Sequence, residues 1–178
     1  MADVSLWVPV LTALAGICGA LGSQYVSHLL IRKREEKTRK QKLASDMAFI
    51  GASLVIYLEE CHHQFTLVAN DYGESNGWDG YVQRHPLSHV NLPVISAVEG
   101  NWTVLPGQLM LRIREIPHNV AKIDHDLELI KDNELDYPDH TRFFKERRQR
   151  YQDLANQCVV LENELRTLCD FPDAIAKE

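Results

Sequence analysis

Cysteine is scarce in this 178-residue chain: Cys18, Cys61, Cys158 and Cys169 are the only four, and no two stand in a CxxC spacing. That excludes a disulfide-dense secreted scaffold and leaves no zinc-binding pattern. Glycine and proline number nine and seven, which excludes collagen-like and low-complexity chains. There is no P-loop, GxGxxG, GxSxG or HExxH motif, so the local signatures of nucleotide binding, nucleophile-elbow hydrolysis and zinc proteolysis are missing. The absence with most consequence is of charge. With His28 neutral, no residue from Val4 to Ile31 is charged.

A helix crosses a hydrocarbon core with about 20 apolar residues, and LWVPVLTALAGICGALGSQYVSHLLI supplies a candidate span over 6–31. The next eleven residues, 32–42, carry seven basic groups and two acidic ones. A cleaved signal peptide has its positive charge before the apolar stretch; here the order is reversed. Ile17 immediately before Cys18 also argues against a lipoprotein site. The positive-inside bias then places 1–5 outside and 43–178 in the cytosol, as a single-pass protein of the cell's inner membrane. Along the span, Ala15, Gly19, Ser23 and Ser27 recur every four residues, a stripe that lets two helix backbones approach closely and predicts a homo-oligomer.

Three later stretches carry helical periodicity. Leu43, Met47, Ile50, Leu54, Leu58, Cys61, Phe65 and Val68 form one seam; Leu109, Ile113, Ile116, Val120, Ile123, Leu127 and Ile130 a second; Phe144, Arg147, Tyr151, Leu154, Cys158, Leu161, Leu165 and Leu168 a third. Each advances by steps of three and four, in strict alternation in the second and third, the pattern of helices packed at coiled-coil angles. The fold class expected is therefore all-α: an N-terminal transmembrane helix, then a three-helix antiparallel, coiled-coil-like bundle with helices near 43–69, 106–131 and 139–170, kinked at Pro117. Residues 71–105 read as one long irregular loop. An up-down-up course would bring the start of the third helix near the bilayer.

In that arrangement anionic headgroups would meet Arg32, Lys33, Arg34, Lys37, Arg39 and Lys40 of the stalk, with Arg147 and Arg148 of the basic stretch 142–150. Trp78, Tyr81 and Trp102 are candidates for a partner-binding surface at the far end of the bundle. Glu59 with His62, Glu60 with His63, and Glu115 with His118 have the Glu-x-x-His spacing of di-iron bundles. No third helix completes the set, so neither a metal nor a cofactor is expected. Residues 43–178 carry a net charge of -10, which speaks against nucleic acid, where phosphate neutralisation dominates affinity. The function expected is a membrane-anchored interaction, scaffold or regulatory protein that binds lipid, itself and an unidentified protein partner, without catalysis of its own. The alternative is an effector that oligomerises through its span into a pore or lesion.

Overall fold

The computed structural model describes residues 7–78, 81–133, 135 and 139–172, apart from the side chains of 7–27, 29 and 75–83. The protein is all-α apart from one hairpin: α1 (Trp7–Ala69), β1 (Glu74–Trp78), β2 (Tyr81–His85), α2 (Gly107–Arg114), α3 (Ile116–Asp132) and α4 (Thr141–Cys169). It divides into two units, Met1–Ser45 and Asp46–Glu178.

The first unit is the N-terminal part of α1. Among the described residues no helix is long and apolar enough to cross a membrane. The expected span over 6–31 falls on α1 from Trp7 on, but most of its side chains, those of Ala15, Gly19, Ser23 and Ser27 among them, lie outside the described ones. Residues 30–45 are exposed. No proline interrupts the helix here, and Glu36 and Lys40 add an i,i+4 ion pair of 2.9 Å, worth a few tenths of a kcal/mol.

The second unit is a helical bundle built on the three seams. Ile50, Leu54, Leu58, Cys61, Phe65 and Val68 of α1 are buried with Ile113, Ile116, Val120 and Leu127 and with Phe144, Tyr151, Leu154, Cys158, Leu161 and Leu165. Leu43 and Leu168, at the seam ends, are exposed, and Met47, Ile123 and Ile130 are half-buried. The second predicted helix is two helices. Pro117 lacks the N–H that would bond Ile113, so the chain tightens at Glu115, and α3 starts with this proline in its first turn. Glu115 still donates to Leu111 O and accepts from Asn119, both at 2.9 Å, which keeps the two seams in phase.

The course of the chain corrects the up-down-up expectation. Cys169 Sγ lies 3.6 Å from Met47 O, Arg166 pairs with Glu59, and the rings of Phe65 and Tyr151 lie 5.9 Å apart; α4 is thus antiparallel to α1. Arg112 pairs with Glu164 and Arg150 with Asp126, so α2 and α3 are antiparallel to α4 too. It follows that α1 and the α2–α3 pair run parallel. The connection between them must therefore return the length of the bundle. It starts beside Arg147, where Asp71 bonds Leu87 and Ser88, and by Gly100 it has reached Ile50. A few-residue loop would force an antiparallel neighbour; 35 residues do not.

The connection is also more ordered than an irregular loop. β1 and β2 pair antiparallel with Trp78 opposite Tyr81, and two 3-10 turns follow at Ile95–Ala97 and Trp102–Val104. Val90, Leu92, Ile95, Val98, Trp102 and Val104 pack half-buried on the core.

Candidate functional site

In the second unit the densest polar geometry surrounds the one residue that breaks a seam. Arg147 and Asp71 form an ion pair of 2.9 Å, their side chains 7% and 1% exposed. Asp71 Oδ1 accepts from Gly73 N at 2.8 Å, and Oδ2 accepts from Leu87 N and Ser88 N at 2.9 Å each. The other Arg147 nitrogen donates to Ser88 O. Burial alone would raise the Asp71 pKa; the Ser88 and Gly73 N–H groups and the Arg147 guanidinium reverse that and hold it below the usual carboxylate range. The knot ties the end of α1, the segment after the hairpin, and α4 together.

Arg147 was expected among lipid headgroups, and the structure places it inside instead. Its position in the seam explains this, because a buried guanidinium needs a carboxylate and Asp71 supplies one. The basic stretch 142–150 lies at the Asp71 end of this unit, opposite the Met47 end. Arg148 lies partly exposed over the Tyr72 ring, 4.2 Å from its centroid. The six stalk cations, Arg32, Lys33, Arg34, Lys37, Arg39 and Lys40, are all exposed.

Beside the knot, Pro86, His89 and Val90 face Asp124, Glu128 and Tyr151 across a cleft of about 340 Å³. The Tyr151 hydroxyl donates to Asp124, and burial, then this carboxylate, push its pKa up. Cys61 and Cys158 are buried thiols raised to about 11 and about 12, chiefly by burial, and so are poor nucleophiles. Among the described residues the buried Tyr57 hydroxyl has no partner at hydrogen-bond geometry, and Cys61 and Cys158 are among its polar neighbours.

The Glu-x-x-His pairs do not converge. Glu59 is engaged by Arg166 at 2.9 Å, His62 sits 3.4 Å from Thr66 Oγ1, and Glu115 and His118 are exposed. Among the described residues no three histidine, cysteine or acidic side chains are grouped to hold a metal.

Of the three aromatic partner candidates, Trp102 alone has a described side chain. Trp102 is half-buried, with its Nε1 donating to Val98 O at 3.3 Å and the Arg114 guanidinium 4.8 Å above its ring. It clamps the entry to α2, at the Met47 end. Trp78 and Tyr81 stand opposite each other in the hairpin, and their side chains lie outside the described ones. What the periodicity did not single out is a second stripe on α1. Phe49, Ile56 and Leu67 are 59%, 68% and 46% exposed, with Ser53, Glu60 and His63 completing the three-four alternation. No family model, no curated protein and no solved structure matches this chain.

Proposed function

We propose that this chain is a single-pass membrane protein of the inner membrane. On this reading 6–31 spans the bilayer, 32–42 meets anionic headgroups on the cytosolic side, and the bundle works by association with itself and with protein partners rather than by catalysis. The observation that carries the reading is how the stalk cations are arranged. At 100° per residue, Arg32, Lys33, Arg34, Lys37, Arg39, Lys40 and Lys42 project all round the helix, and those side chains are exposed. A helix lying flat on a membrane gathers its cations on one side. A helix passing upright through the headgroup layer can use them in every direction, each worth up to about 1 kcal/mol. The uncharged run before them on the same helix supports the same reading, and the stripe Ala15, Gly19, Ser23 and Ser27 supports self-association in lipid. The exposed Phe49 and Ile56 support association of the second unit with a further copy.

The test is carbonate extraction of membranes from cells expressing the full chain, with protease added to intact spheroplasts. The expected result is a carbonate-resistant protein whose bundle is protected until the membrane is opened. Recovery in the soluble fraction would sink the reading. Gly19→Leu should lower the oligomer fraction in mild detergent while leaving extraction behaviour unchanged.

A further inference from the structure

Two arginines near the knot are held in a way that the fold does not require. Arg84 of β2 lies with its guanidinium carbon 4.5 Å from the centroid of the Phe144 ring. Arg148 of α4 lies 4.2 Å from that of Tyr72. The rings belong to one cluster. Tyr72 precedes Gly73, Gly73 packs on Phe144 so closely that a Cβ there would sit 2.5 Å from Cζ, and Arg148 Nε donates to Phe144 O at 3.4 Å.

A guanidinium laid over a ring uses its face and leaves N–H groups at its edge, while losing the rotamer freedom that usually weakens a surface arginine as a ligand-binding group. Among the described residues neither arginine has a carboxylate within ion-pair distance. Asp71, the closest in the chain to Tyr72, is committed to Arg147. Other arginines of this unit are paired: Arg112 with Glu164, Arg150 with Asp126 and Glu146, Arg166 with Glu59 and Glu162. In a domain of net charge -10, Arg84 and Arg148 are two arginines that, among the described residues, lack a carboxylate partner and lie on rings of one cluster; Arg114 lies likewise over Trp102, but at the Met47 end.

We infer that Arg84 and Arg148 form a site for a phosphoryl group, the oxyanion whose several acceptors match the guanidinium fork. The shared chemistry is a phosphate monoester, carried by a small soluble molecule or by a lipid headgroup. Tyr72, 60% exposed, gives such a ligand an aromatic edge to lie against.

The probe is inorganic phosphate, titrated calorimetrically into the full chain in mild detergent at an ionic strength held constant with chloride. Binding should be lost about tenfold or more in Arg84→Ala and in Arg148→Ala. Arg84→Lys and Arg148→Lys should fall nearly as far, because they keep the charge but not the fork. The double variant should bind no more weakly than the worse single one, as expected when both arginines grip one anion. Arg112→Ala, whose arginine pairs with Glu164, should bind as the unaltered chain does. Thermal melts without phosphate check that each variant is folded. Flotation with phosphatidylcholine vesicles, with and without phosphatidic acid, separates the sources: arginine-dependent capture by phosphatidic acid alone assigns a headgroup, and arginine-dependent binding of free phosphate assigns a soluble ligand. No binding in either arm, losses that simply add, or equal loss in Arg112→Ala would overturn the inference.

Discussion

At Arg147 the cost of burying a charge is met by one carboxylate, and the same carboxylate organises the connection by accepting three backbone N–H groups. A buried pair contributes little net stability, but removing one partner is expensive because the other is left charged and dry. Arg147→Met should therefore lower unfolding free energy by about 3–5 kcal/mol in urea titrations, and Asp71→Asn with Arg147→Met should recover a good part of that loss. The pH dependence follows from the direction of the Asp71 shift. Its folded pKa lies below the unfolded value near 3.8, so its contribution is fully present above that value and is lost as pH falls through the folded pKa. An acid unfolding curve should be shallower below pH 4 in Asp71→Asn than in the unaltered chain. Equal curves would mean that the carboxylate is not held ionised by this knot.

At the scale of elements, what could be read in advance was whatever a period of 3.6 reports. The C-terminal end of α1, the limits of α4, the burial of Ile113, Ile116 and Val120, and the phase kept across Pro117 all follow from apolar spacing and one missing N–H, whereas the seam that begins at Leu43 did not show that α1 runs unbroken from Trp7. The hairpin was legible in principle, since Asp79-Gly80 separates Glu74–Trp78 from Tyr81–His85 and this dipeptide is a strong hairpin signal. The strands carry little apolar alternation, which hid it. Arg147 looked like a surface cation because its partner lies 76 residues away, and no local rule reports such a partner. The face assignments are open to direct test on α2, where Ile113 is fully buried and Leu111 is 55% exposed. Ile113→Ala should cost about 2–5 kcal/mol and Leu111→Ala no more than about 0.5, measured by the urea midpoint. Similar losses at both positions would mean that this helix is rotated.

At the scale of the bundle, the parallel course of α1 and α2–α3 makes a demand that an up-down-up bundle does not. The connection leaves from the level of Arg147 and delivers α2 at the level of Glu164. Along α4 those levels are separated by 17 residues, or about 26 Å at the helical rise. A loop of about five residues reaches roughly 17 Å when fully extended. Replacing 72–105 with such a loop should therefore abolish the native packing of the second unit, even though it shortens the chain entropy to be lost and removes no residue of the three seams. An antiparallel bundle would accept that replacement readily, because its helix ends would already be neighbours. Circular dichroism with a urea melt separates the cases. Loss of the cooperative transition is the outcome expected of the crossover, whereas a variant that melts like the full chain would put α1 antiparallel to α2–α3. The half-buried Val90, Leu92, Ile95 and Val98 complicate a bare loss of stability. A second variant settles it: the same 34 residues replaced by an equally long glycine-serine linker should keep a weakened but cooperative transition, because it can still span the distance.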